Sequence, residues 1–299
     1  MKKFWRLAAA ATLAISMLAA CGAEKEIEQQ EQNITVEENS DTAFPVTVTD
    51  ALGKEITLEE APDRIVSLTP SNTEILFELG LDEEVVGVND NDNYPEQVAD
   101  KTRIGGIEYN IETIISLQPD VVFAHESSMF TFESAIEQLE ASGVTVFVVD
   151  NAETFDETYE TIEVIGTLTG KDEEADKIIA SIQSKLADIQ AKLQGVSPKT
   201  AFMVVGASPD IYVVGQNTFM NEMLKEINVD NAVKEEGWPL YSAEQFITAN
   251  PDSIVFTYAG DDETIKNNRA FAVMTAVQNN ALTVVDGDTT SRQGPRIAE

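Results

Sequence analysis

Two glutamates stand out because their surroundings match. The segment "ETIISLQPDVVF" begins at Glu112 and "EQFITANPDSIVF" begins at Glu244. In each, an Ile follows three residues later, then Pro-Asp, then an apolar run that reads as a strand. Asn110 and Ser242 precede them as helix N-caps, and Gln245 completes an S-x-x-Q capping box with Ser242. Each glutamate therefore falls in the first turn of a helix. An acid there is worth about 0.3–1 kcal/mol against the helix dipole, which would explain either residue alone. Two acids at equivalent places also fit a paired docking surface for a basic partner. The residues leave both readings open.

The other chemistry-bearing residues are flat, polar or both. Tyr94, Tyr212, Trp238, Tyr241 and Tyr258 offer aromatic faces with a polar handle. Core packing competes for each of them, for Tyr258 in particular, while Trp238, beside Pro239 in a loop, is the first contact to expect. Pro70, Ser71, Asn72, Asn91 and Asp288 lie where apolar runs end, and Arg292 can meet an amide, phosphate or carboxylate. Enzymatic signatures are missing. One histidine, His125, cannot build a His-rich metal site. There is no H-E-x-x-H, G-x-S-x-G or phosphate loop. With 53 acidic residues a catalytic carboxylate pair is the remaining enzymatic alternative. No metal and no cofactor are expected. A net charge of -34 argues against nucleic acid as a partner.

The elements that must position these residues follow an α/β rhythm. "FPVTVTDALGKEITLEEAP" alternates around Asp50 to Lys54 and predicts a hairpin. "RIVSLTPSNTEILFELGLDEEVVGV" reads strand, helix, strand, with Ser71 and Glu74 expected as a capping box and Gly80 as the stop. The runs "VVGV", "DVVFA" and "VTVFVVD" are what buried parallel strands look like. From Asp172 to Gln194 the rhythm breaks into one long helix with an apolar stripe through Ala175, Ile178, Ile179, Ile182, Leu186, Ile189 and Leu193. "TAFMVVG", "DSIVFTY" and "LTVVD" then begin a second α/β series. The expectation is two Rossmann-like lobes with parallel-rich sheets, 44–170 and 196–299, joined by a rigid helix at 171–195, with a ligand cleft between them. In open α/β sheets ligands sit beyond the carboxyl ends of the strands.

The N-terminus reads as a leader. Lys2, Lys3 and Arg6 precede an apolar stretch from Leu7 to Ala20, short of the roughly 20 apolar residues a span needs. "LAAC" then resembles the lipobox of bacterial lipoproteins. That likeness implies a signal peptide at 1–20, lipidation of Cys21, and a chain held to the outer face of the cytoplasmic membrane. Cys21 is the chain's one cysteine, so an intrachain disulfide is impossible. Residues 21–43, rich in Glu and Gln, read as a disordered tether.

Taken together, "RIVSLTPSNTEILFELGLDEEVVGV", "NDNYPEQV", "GGIEYNIETIISLQPDVVFA", "WPLYSAEQFITANPDSIVF" and "GPRIAE" resemble the substrate-binding proteins of ABC importers for cobalamin, siderophores and haem. The likeness runs in order from about Phe44 and is nearest to the cobalamin branch. It implies a monomer that holds a chelate, cobalamin by branch, between its lobes. It also implies that Glu112 and Glu244 dock onto arginines of the permease. The chain departs from the cobalamin branch at Gly105, Gly106 and Asn91, where relatives carry an aromatic. The resemblance further implies a last helix beyond Glu299.

Overall fold

The computed structural model describes residues 44 to 299; the leader, Cys21 and the tether lie outside the described residues. The chain opens on an antiparallel hairpin, β1 (Val46–Thr49) and β2 (Glu55–Leu58). Asp50 closes its turn by accepting from the backbone N–H groups of Leu52 and Lys54. Then come β3 (Ile65–Ser67), α1 (Pro70–Glu78), β4 (Val85–Val88), β5 (Thr102–Arg103), α2 (Ile111–Ser116), β6 (Val121–His125), α3 (Met129–Ala141) and β7 (Val146–Val149). Their five strands pair in the order β5-β4-β3-β6-β7, every pair parallel. β6 and β7 are buried throughout, which is why they read as unbroken apolar runs.

Two helices follow. α4 (Phe155–Thr169) starts from a Thr154–Glu157 capping box and stops at left-handed Gly170. α5 (Asp172–Leu193) is the long helix the periodicity requires. Its stripe is buried only in its first half, at Ala175, Ile178, Ile179 and Ile182, in the first lobe's core. Gly166 allows this approach, since a Cβ there would stand 2.7 Å from that of Ala175. Leu186, Ile189 and Leu193 are half-buried, and Gln190 reaches the second lobe by donating to Glu226.

The second lobe runs β8 (Lys199–Gly206), β9 (Ile211–Val213), α6 (Phe219–Glu226), β10 (Val229–Asn231), β11 (Leu240–Tyr241), α7 (Ala243–Ala249), β12 (Ser253–Phe256), α8 (Asp261–Asn267), α9 (Thr275–Gln278), β13 (Leu282–Val284) and α10 (Gly287–Ser291). β10, β8, β12 and β13 pair in parallel, while β9 and β11 add antiparallel strands at one side. Its core is centred on Phe202, which stacks on Phe246 at 4.5 Å.

The internal repeat is visible in three dimensions. α2 leads into β6 beside β3, as α7 leads into β12 beside β8. The Asp of each Pro-Asp pins the neighbouring strand. Asp120 accepts from the N–H groups of Asp63 and Arg64 at 3.0 and 2.8 Å. Asp252 accepts from the N–H and hydroxyl of Thr200 at 2.9 and 3.0 Å. The caps stand where the sequence puts them: Asn110 accepts from Thr113, and Ser242 and Gln245 complete their box.

One expected cap does not form. α1 begins two residues earlier than the S-x-x-E pattern suggests, with Pro70 at its start and Thr69 at the N-cap making no side-chain bond. Ser71 is therefore inside the helix, and Glu74 does not reach back to the cap. Its carboxylate instead takes the guanidinium groups of Arg292 and Arg296, whose charged hydrogen bonds are stronger than those of a backbone N–H.

Candidate functional site

Besides α5, contacts among the described residues join the two lobes. Phe155 of α4 stacks on Phe219 of α6 at 5.5 Å. Asn93, in the loop after β4, donates to Asp288 of α10 at 2.7 Å. The chain after α10 then crosses back to the first lobe, where Gly294 lies against Ser71 and Ile75 and Ile297 joins the core.

That crossing is fastened by charge. Arg292 Nη1 donates to Glu74 Oε1 at 2.8 Å and to Asn93 Oδ1 at 2.8 Å, and Nη2 pairs with Asp288 at 3.0 Å. Arg296 grips both oxygens of Glu74, at 2.8 and 2.6 Å, and lies over the Tyr94 ring at 4.1 Å. The Glu74 side chain is 1% exposed. Bonding to Glu74 holds the Arg296 guanidinium even more firmly protonated than usual.

Above the Phe155–Phe219 stack the lobes leave a cleft of about 300 Å³. The first lobe lines it with Ser127, Asn151, Ala152 and Glu153, all beyond the carboxyl ends of β6 and β7. The second lobe contributes Asn217, Thr218, Phe219 and Met220 at the start of α6, and Trp238 from the loop before β11. Thr290, Ser291 and Gln293 close it from α10 and the crossing segment. Thr218 is the N-cap of α6, and Asn217 before it takes a positive φ of 58°.

The residues singled out from sequence divide into groups. Trp238 lines the cleft and is 51% exposed. Asn91, Tyr94, Asp288 and Arg292 gather at the lobe junction, Asn91 through its backbone oxygen. Pro70, Ser71 and Asn72 form the first turn of α1, where Asn72 is buried and donates to the Ala124 carbonyl. Tyr258, with core packing as its competing role, is well exposed, as is Tyr212. Tyr241 is core: it packs on Phe202 and donates to Glu235, and burial with that carboxylate pushes its phenol up to about 12. Asn151, Glu153, Asn217 and Gln293 were not among the candidates. Asn151 follows "VTVFVVD" directly, so the strand-end rule applied to that run would have found it.

The first lobe carries a buried polar network at the ends of β3 and β4. Thr73 donates to Asp92 at 3.0 Å, and Asn89 and Tyr109 both donate to the Leu68 carbonyl. Burial pushes the Asp92 carboxyl up to about 6 despite Thr73, Asn89 and two nearby arginines. His125 ends β6, 4% exposed, with Nδ1 against the Ser127 hydroxyl. Burial lowers its imidazole to about 4, so it is uncharged at neutral pH. Gly105 has φ of 98°, and a Cβ there would meet the Glu108 carbonyl at 2.0 Å, so this turn excludes an aromatic.

Glu112 and Glu244 are exposed in the first turns of α2 and α7, and no described residue engages either carboxylate. Among the described residues no helix is long and apolar enough to cross a membrane.

Known proteins agree with this architecture. Residues 65–289 match the family model described as periplasmic binding protein. An uncharacterized ABC transporter substrate-binding lipoprotein of Bacillus subtilis is 41% identical, over 100% of this chain and 95% of its own. The crystal structure of a possible iron-binding (periplasmic solute-binding) protein from Staphylococcus epidermidis superposes with a TM-score of 0.74 at 36% identity, covering 80% of this chain and 95% of that one. A periplasmic vitamin B12 binding protein of Vibrio cholerae gives 0.68 at 26% identity, over 79% and 92% of the two chains. The chain belongs to the periplasmic binding protein family, the substrate-binding components of ABC importers, and is not an enzyme.

Proposed function

We propose that this protein is a lipid-anchored receptor that captures cobalamin outside the cell membrane and delivers it to an ABC permease. The observation that carries the reading is the cleft itself: Trp238 stands half-exposed over a lining of amides and hydroxyls contributed by both lobes. A flat face beside convergent polar groups suits a planar, amide-rimmed ligand. A volume of about 300 Å³ is at the small end for ligand pockets, so a corrin fills it only with the lobes parted or its rim projecting. The V. cholerae relative named for vitamin B12 supports that choice. The S. epidermidis relative named as possibly iron-binding favours a second reading, the same role for a ferric siderophore or haem.

Docking falls to Glu112 and Glu244, one per lobe, with unengaged carboxylates aimed at permease arginines. Cys21 supplies the anchor, each buried lipid CH₂ adding about 0.8 kcal/mol. The ligand closes the lobes modestly around α5, and the permease releases it by prying them apart. Calorimetric titration of the chain from residue 22 with cyanocobalamin tests this, with haem and a ferric siderophore in parallel. Tight one-to-one binding of cyanocobalamin is expected. Heat from another chelate alone would move the ligand, and silence on all three would refute the receptor.

A further inference from the structure

We infer that the cleft selects metal chelates that carry no net negative charge, and recognises their rim through neutral amides. The inference rests on the proposed receptor role and narrows its ligand class. Among the described residues, the cleft lining contains no lysine, arginine or histidine, and its one charged side chain is Glu153. The nearest guanidinium belongs to Arg292, between two lining residues, but Glu74, Asn93 and Asp288 occupy it and leave it 9% exposed. Arg296 is spent on Glu74, and Arg103 on the carbonyls of Asn89 and Asp92.

The potential around the cleft is negative as well. Glu153 sits in a loop whose other side forms a second hollow with Asp150, Glu157 and Glu160. The Asp150 carboxyl is raised by burial and by the carboxylates Glu126, Asp50, Glu157 and Glu160, which neighbouring elements bring towards it. A haem carboxylate or a tricatecholate trianion entering the cleft would shed water and meet no counter-charge.

The polar groups on offer are instead neutral. Asn151, Asn217 and Gln293 line the cleft, and no described residue engages their side-chain amides. Each presents an acceptor oxygen and an NH₂ with two donor hydrogens, the complement of a carboxamide or hydroxamate rim.

The test uses ligands matched in shape but not in charge. Cyanocobalamin is compared with its monocarboxylate, in which one peripheral amide is hydrolysed. A cationic ferric trihydroxamate is compared with an anionic ferric tricatecholate. Calorimetry on the chain from residue 22 should show the monocarboxylate about 10- to 30-fold weaker than cyanocobalamin, the effect of one uncompensated charge. Glu153→Gln should narrow that gap. A trihydroxamate that binds while both corrinoids and the tricatecholate do not would support the charge rule and move the ligand. Anionic chelates binding as tightly as their neutral or cationic partners would overturn the rule and leave the receptor standing. If chelates of neither kind bind, the receptor reading falls and the selection rule with it.

Discussion

Replacing Glu74 with alanine should destabilise the protein by about 3–4 kcal/mol, a large share of the roughly 5–15 kcal/mol that holds a domain together. The figure comes from what the carboxylate touches. Three charged hydrogen bonds converge on it, one from Arg292 and two from Arg296. Its side chain is 1% exposed, and those of Arg292 and Arg296 are 10% and 12% exposed. Removing one partner of a buried pair costs about 3–5 kcal/mol because the other charge stays desolvated. Arg292 would keep Asp288 and Asn93, and Arg296 its stacking on Tyr94 and the nearby charge of Glu299, so the lower part of that range applies. Urea unfolding of the wild type, Glu74→Ala, Arg296→Ala and the double variant measures the loss and its coupling. The double variant should lose less than the sum of the singles by about 1–3 kcal/mol. Added salt should barely change the result, since buried pairs are poorly screened. A loss below about 1 kcal/mol, erased by salt, is what an exposed pair would give and would refute the account.

Asp92 and His125 should oppose each other in acid. Burial pushes Asp92 up to about 6 in the folded state from an ordinary 3.8, so the native state holds the extra proton and stability falls as pH rises through that window. His125 titrates near 4 against 6.5, so its contribution falls as pH drops through the same window. The two nearly cancel; Asp92→Asn should therefore gain about 3 kcal/mol over the wild type between pH 4 and pH 6.5 in denaturant unfolding, and parallel profiles would discount the shift. Trp238→Ala should cost under about 1 kcal/mol of stability, as a half-exposed residue does, yet weaken cyanocobalamin binding at least about tenfold. Unchanged affinity by calorimetry would put Trp238 outside the site. Trp5 and Trp238 are the two tryptophans, so in the chain from residue 22 ligand quenching of fluorescence reports on Trp238 alone. Glu112→Arg with Glu244→Arg should abolish uptake in cells while ligand affinity holds; normal uptake would refute the docking roles.

The sequence made the scaffold legible wherever one local rule decided the outcome. β6 and β7 are buried on both faces, so their strands are unbroken apolar words. Ser242, Gln245 and Asn110 cap because nothing competes for them. Glu74 fits the same capping pattern and fails it, because two arginines more than two hundred residues later arrive in space beside it. No window of sequence contains that fact. The cleft is hidden for a related reason: Asn151, Asn217 and Gln293 lie far apart in the chain and have no periodicity, and it takes the packing of Phe155 on Phe219 and the fastening of Arg292 and Arg296 to Glu74 to bring their segments together. Arg292 shows how this can mislead. Read alone it is a ligand-seeking cation, and in the fold its charge is already answered.

The matched glutamates gain meaning from how the repeat is built. Asp120 and Asp252 fasten the ends of equivalent helix-to-strand connections to the starts of β3 and β8, and Asn110 and Ser242 cap the starts of the preceding helices. Glu112 and Glu244 then inherit equivalent stations, each in the first turn of a helix feeding the second strand of its pair. Dipole stabilisation of well under 1 kcal/mol could be met by any acid in either turn. Neither carboxylate has a partner among the described residues. The second lobe sharpens the contrast. There Glu235 is occupied by the Tyr241 hydroxyl, while Glu244, lining the same surface hollow, is left open. Under the proposed docking role a free carboxylate at a helix start serves both ends: it stabilises its own helix and stays open to a guanidinium from outside.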